Sequence, residues 1–468
     1  MQQHEHVTPQ SAIAGETHRL SKVIVATSLV SCIELFDFTV FGLFAAVIGE
    51  QFFPAANPLT SLLLAAGTFG AGFLARPVGA VWIGRYADRV GRRAAMLSTS
   101  WMMAAGTAAI ALCPPFSRIG VAAPIVVLAG RLLQGLAAGG EIGAAASYAM
   151  EAVPRARRGY VVSWQLAGQG AAALLGACFG LVLTHSMPAA SFAAWGWRVP
   201  FLAGLLIVPI GFYVRRSLPE VSSTQDTPVA VVQTATLPVA SASASASASA
   251  SASTAIPVAA PTSTVDRSPF VELCRDFGAP VVLATLMMLW RTIPVYTIVY
   301  FMPSYLTRVT HLPAIVGFRS SALSALLLVI LSPVSGMLAD RLTRLKPLLL
   351  ITSGLATLLV VPVFYVFTHA HDEGPVLIAI AAISIVIALG ASAGTVLVLE
   401  RLPSRVRASG VALSYALGVA LFGGTAQFVV TALIKWTGDP MSITWYVAPA
   451  CLVSFCAFAM FDEQRATT

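Results

Sequence analysis

Charge is what this sequence has least of. Asp, Glu, Lys and Arg together make up 10% of its 468 residues, with 28 basic side chains against 20 acidic ones. A soluble chain of this length needs far more charge to cover its surface, so a string of globular domains is excluded. Cysteine is also sparse. Cys32, Cys113, Cys178, Cys274, Cys451 and Cys456 are scattered without metal-ligand spacing and read as idle thiols, so no metal site is expected. There is no H-E-x-x-H, no G-x-S-x-G in a strand-turn-helix context and no P-loop, which removes the signals for an enzyme or a bound cofactor. The polar stretch from Met1 to Leu20 lacks the pattern of a cleaved signal peptide.

Apolar residues are abundant instead, at 57%, and mean hydropathy is +0.82. Runs bounded by charges, Pro and Gly give twelve segments, near 23–48, 59–84, 94–113, 120–148, 160–184, 197–214, 278–305, 314–338, 347–367, 375–398, 409–433 and 443–461. Each reaches roughly the 20 residues that a helix needs to cross a hydrocarbon core of about 30 Å. A lipid-embedded backbone must satisfy its own hydrogen bonds, and alternating barrel strands are absent from the pattern, so the segments are read as helices. The expected fold is an all-α membrane protein with twelve transmembrane helices.

Arginine and lysine follow an alternation along the chain. With the N-terminus inside, the inner segments hold 20 basic residues and the outer loops four (Arg118, Arg198, Arg308 and Lys435). That asymmetry places both termini in the cytoplasm and the chain in a cytoplasmic (inner) membrane. It also argues against nucleic acid as a partner, because the basic residues are spread over seven membrane-proximal segments rather than one face. The expected organisation is an inner tail at 1–22, a six-helix bundle at 23–217, a linker at 218–275, a second bundle at 276–461 and a tail at 462–468. The linker contains an Ala/Ser alternation from Ala240 to Ser253, whose composition cannot repay the entropy of ordering.

The two bundles repeat each other. Gly84, Asp88, Arg89, Gly91, Arg92 and Arg93 follow the second segment, and Gly336, Asp340, Arg341 and Arg344 follow the eighth in the same frame, 252 residues later. Glu151, Pro154 and Arg158 after the fourth segment are echoed by Glu400, Pro403 and Arg407 after the tenth, offset by 249. Duplicated halves place a binding site between the repeats near mid-bilayer.

These residues carry a family resemblance. The Gly84–Arg93 loop resembles the G-x-x-x-D-R-x-G-R-R signature of the major facilitator superfamily, and Arg131, Gln134 and Gly135 resemble its R-x-x-Q-G element. Arg76-Pro77-Val-Gly79, Gly139-Gly140-Glu141 and Glu34-Leu-Phe-Asp37-Phe38 are similar to the metabolite:proton symporter branch, and within it to citrate–proton symporters. The resemblance implies two pseudo-symmetric six-helix bundles working by alternating access, with the proton as coupling ion. It also implies a cytoplasmic gate formed by Gly84, Asp88, Arg89, Gly91, Arg92, Arg93, Glu151 and Arg158, with Asp340, Arg341, Glu400 and Arg407 as its counterpart in the second half.

Charges inside the segments define the candidate site. Glu34, Asp37, Arg76, Arg131, Glu141 and Arg291 lie within apolar runs, while Arg319 sits near an end and is expected to snorkel. At about 2.5–3.5 kcal/mol each, six unpaired lipid-facing charges would cost on the order of 15–20 kcal/mol, so they must face the interior, pair or line a wet cavity. Arg76 and Glu141 fall at similar depth and are expected to pair. Arg131 and Arg291, one from each half, would flank a cavity suited to a di- or tricarboxylate, with Gln134, Gln165, Tyr296 and Tyr300 adding neutral hydrogen bonds. The alternative makes Arg131 a counter-ion of Asp37 or Glu34. Those two carboxylates share a helix face and are the proton-coupling candidates, Asp37 being the deeper. The expected function is proton-coupled import of a small organic anion, citrate or a relative, by a monomer in the lipid bilayer. Zwitterion or shikimate symport is the alternative, with drug antiport or a membrane enzyme further off.

Overall fold

The computed structural model describes residues 24–25, 28–29, 31–139, 157–205, 278–401 and 413–461, and all regular structure among them is helical. The terminal tails and the 218–275 linker lie outside the described residues.

The apolar segments become helices in the expected order. The first span is a pair, Ser31–Leu43 and Ala45–Phe52, bent by 66°. Then follow Pro58–Ala87, Arg92–Leu112, Ala122–Gly139 and Arg158–Ser186, and a sixth helix from 199 to the limit of the described residues at 205. The second half contributes Val281–Tyr300, Ala314–Arg341, Lys346–His369, Glu373–Leu397, Leu413–Thr437 and Pro440–Met460. Together these make the twelve helices of the expected fold.

Local chemistry sets the boundaries. Asn57 begins the second span, its side chain accepting the Leu59 amide at 2.9 Å, and Pro58 fills the first helical position, where no N–H is needed. The second span ends at Gly91, whose φ of 95° lies in the region that favours glycine. Gly438, with φ of 71°, closes the eleventh span in the same way, and the next residue, Asp439, caps the following turn by accepting the Met441 amide at 2.8 Å.

Two hydrophobic cores are each centred on one half, and the first also takes in Tyr296, Tyr300 and Phe318 of the second half. One is built on Phe36, Phe41, Phe52, Phe69 and Trp197, the other on Trp290, Tyr305, Phe364, Ile383 and Phe458. Between the halves, the fifth span packs against the eighth along most of its length and the second against the eleventh. The fifth and eighth spans cross closely where Gly336 faces Gly159, since a Cβ at Gly336 would lie 2.6 Å from the Gly159 carbonyl oxygen.

Candidate functional site

The first half carries a chain of buried hydrogen bonds. Arg131 Nη1 donates to Gln134 Oε1 at 2.8 Å, and Gln134 Nε2 donates to Thr107 Oγ1 at 2.9 Å. The Thr107 hydroxyl in turn donates to Asp37 Oδ2. Three spans supply these groups, and Asp37 is 5% exposed while the other three are at 0%. Phe38, Phe41 and Phe69 cover the Arg131 guanidinium, with ring centroids 4.6, 4.2 and 5.3 Å away. Asp37 and Arg131 are electrostatically coupled and offset each other's charge. The network is nonetheless incomplete among the described residues, where Asp37 Oδ1 and Arg131 Nε and Nη2 have no hydrogen-bond partner.

Arg76 lies beside this network. Its guanidinium sits 4.4 Å from the centre of Phe38 and 4.0 Å from that of Phe73, so Arg76 and Arg131 share the Phe38 ring. It is electrostatically coupled to Glu34, and its Nε has no hydrogen-bond partner among the described residues. Its expected partner Glu141 lies outside the described residues.

A small cavity of about 50 Å³ lies between the two halves. Gln169 comes from the first half; Arg291, Tyr296, Tyr300, Ser332 and Tyr415 come from the second. Among the described residues, Arg291 is the single charged side chain in the wall, and no carboxylate lines it. Gln169 Nε2 donates to the Tyr415 hydroxyl at 3.4 Å, joining the halves across the cavity. Two π-helical stretches, Val295–Tyr300 and Gly418–Gly423, contribute Val295, Tyr296, Tyr300 and Val419 to the wall. Such turns are rare and gather at functional sites.

The model of the sugar (and other) transporter family matches residues 23–463. The chain belongs to that family. It is 33% identical to the citrate–proton symporter of Salmonella typhi, covering 97% of this chain and 95% of the relative. It is 30% identical to the alpha-ketoglutarate permease of Escherichia coli (strain K12), covering 98% of each. The fold is similar to that of the xylose transporter XylE from E. coli in a partially occluded inward-open conformation, with a TM-score of 0.70 at 13% identity, covering 96% of this chain and 100% of that one. The transporter is therefore a multi-pass membrane protein of the major facilitator superfamily, and not an enzyme.

In this transporter the residues expected at the substrate site divide into two groups. Arg291, Tyr296 and Tyr300 line the cavity, whereas Arg131 and Gln134 do not, and the Phe38, Phe41 and Phe69 rings stack around the Arg131 guanidinium. Arg131 is linked to Asp37 through Gln134 and Thr107. Gln165 is half-buried and does not line the cavity; Gln169, one helical turn on, takes that place. Glu34 is half-buried near Arg76.

Of the gate residues, Asp340 has a defined role. Its carboxylate accepts the Gly159 and Tyr160 amides at 2.8 Å each, so the end of the eighth span caps the start of the fifth, next to Arg158. Gly84, Arg89 and Gly91 lie on and at the end of the second span, exposed, as is Arg341 at the end of the eighth. Glu151 and Arg407 lie outside the described residues, as do the side chains of Asp88, Arg92, Arg93 and Glu400. At the opposite end, Arg308 pairs with Glu50 at 2.5 Å and links the seventh span to the first. Arg319 does not snorkel alone; it pairs with Glu373 at 2.6 Å.

Sequence reasoning missed Thr107, Gln169 and Tyr415. Gln169 had one usable signal, since it lies four residues after Gln165 on the same helix face. Threonine and tyrosine in an apolar run carry no such mark.

Proposed function

We propose that the transporter is a proton-coupled symporter of a small organic anion, with citrate or a related di- or tricarboxylate as its solute. The observation that carries this reading is Arg291, among the described residues the sole charge in the cavity wall, with no carboxylate there to neutralise it. An anion supplies the missing charge, and the planar guanidinium offers a carboxylate two parallel donors. Tyr296, Tyr300 and Tyr415 add hydroxyls around it. The named activities of the citrate–proton symporter and the alpha-ketoglutarate permease fit the same chemistry.

Coupling follows from the charge balance behind the cavity. While Asp37 is ionised it offsets Arg131, and the network adds little net field. Once Asp37 takes a proton, Arg131 is uncompensated, and with Arg76 on the same phenyl ring the region becomes more positive. An anion in the cavity is then held more tightly, and by linkage a bound anion favours the proton on Asp37. Mutual support of this kind makes proton and anion travel together. The basic loop side faces the cytoplasm in this reading, with both termini there.

The test is uptake of radiolabelled citrate, α-ketoglutarate, shikimate and proline into proteoliposomes, with and without a protonophore. Protonophore-sensitive accumulation of an organic acid is the expected result. Accumulation of proline alone would replace the reading with zwitterion transport.

A further inference from the structure

One buried polar group takes no part in this scheme. Gln427 lies on the eleventh span, eight residues beyond the cavity residue Val419, and is 0% exposed. Among the described residues, neither its Nε2 nor its Oε1 has a hydrogen-bond partner. The carboxamide is turned toward the first span, where a Cβ on Gly42 would lie 3.0 Å from Gln427 Nε2 and 3.3 Å from the Cβ of Tyr300. Tyr300 itself lines the cavity. Gln427 is thus one residue removed from the cavity, at a seam where the first span of one half meets the eleventh of the other.

A side chain left in this condition is poorly suited to a static core. Both ends of the amide have given up water and gained nothing in return, and an apolar group of the same volume would be more stable there. Its presence is explained if another state of the molecule satisfies it. Alternating access supplies that state, because rocking the two halves apart at the end opposite the basic loops parts the first span from the eleventh. The amide is then bared beside Tyr300, on the route into the cavity.

We propose that Gln427 is a solute-selecting residue of the state open at that far end, where it reads hydroxylated carboxylates. The proposal rests on the organic-anion reading above and adds a substrate class to it. A carboxamide is neutral and two-sided: Nε2 donates to a carboxylate oxygen while Oε1 accepts from a hydroxyl. A plain carboxylate uses only the first contact. A hydroxy acid uses both, and leaves no orphaned atom.

Citrate and tricarballylate test this directly, since they differ only in the hydroxyl. The full-length protein is reconstituted in proteoliposomes, and uptake KM is measured from the far side for wild type and Gln427→Leu. Wild type should prefer citrate. Gln427→Leu should weaken both acids but raise the citrate KM further, by up to about tenfold relative to tricarballylate, the size of the one lost hydrogen bond to the hydroxyl, and so bring the two acids close to parity. An unchanged citrate-to-tricarballylate ratio in the variant overturns the proposal. Gln427→Met, judged by monodispersity in detergent, replaces the leucine variant if that one fails to fold, with the same two outcomes. Wild-type uptake of α-ketoglutarate but of neither tricarboxylate overturns the Gln427 proposal and leaves the organic-anion reading standing, whereas uptake of none of the three acids defeats that reading itself; both results are visible before any variant is made.

Discussion

Asp340, near the end of the eighth span, accepts the backbone amide of Gly159 at 2.8 Å, with its second oxygen on Tyr160 at the same distance. Amides in the first turn of a helix have no intrahelical acceptor, and a carboxylate there also meets the positive end of the helix dipole. The two helices belong to different halves, so this cap holds the halves together at the basic end.

Replacing Asp340 with Ala removes both acceptors. Loss of a cap of this kind costs about 0.5–2 kcal/mol, enough to shift a two-state balance several-fold away from the form in which these ends touch. Hydrogen exchange should speed up at Gly159 and Tyr160 while the mid-span segment around Ala172 is unaffected. Equal exchange in variant and wild type would mean that the cap does not hold this end.

Asp37→Asn keeps the size and one acceptor of the side chain but can no longer exchange a proton. Uphill, protonophore-sensitive accumulation should vanish, while counterflow of solute against solute persists. A variant that still accumulates solute moves the coupling role away from Asp37, with Glu34 the next carboxylate to test.

Arg291→Gln removes the only charge that the described residues place in the cavity wall. Hydrogen bonds to charged groups are worth about 1.5–3 kcal/mol, so the KM for an anionic solute should rise by roughly 10- to 150-fold. Arg291→Lys should recover only part of the loss, because an ammonium cannot offer two parallel donors. Unchanged anion KM in both variants would place the solute elsewhere.

Gly336→Ala should lower thermal stability with little regard to solute. The new methyl would sit 2.5 Å from Ser163 Oγ and 2.6 Å from the Gly159 carbonyl oxygen, and the backbone neighbour cannot yield cheaply. Overpacking costs typically about 1–3 kcal/mol, which a melting curve of the purified protein would register as a lower Tm.

The fold was legible in the sequence to an unusual depth because its rule is one-dimensional. Twelve apolar runs, a basic bias on alternate loops and the Gly84/Gly336 and Asp88/Asp340 repeats all lie in the order of residues. The candidate site was legible only in part. Charges stranded in apolar runs pointed to Asp37, Arg76, Arg131 and Arg291, because burial of an ion demands an explanation wherever it occurs. Helical spacing also grouped Arg131 with Gln134, and the structure joins them by a hydrogen bond of 2.8 Å. Spacing along one helix says nothing about the neighbour, so Thr107 on the third span, which links that pair to Asp37, left no trace.

The sequence alone therefore determined that this chain crosses a membrane in duplicated helical halves and that a few ions lie inside it. Tertiary packing alone decided which arginine lines the cavity. Arg131 and Arg291 look alike as letters, each a single arginine in an apolar helix, yet one is packed among phenyl rings while the other lines the cavity between the halves. The reason is that hydropathy is a property each residue carries along the chain, whereas access to a cavity depends on side chains contributed by other helices.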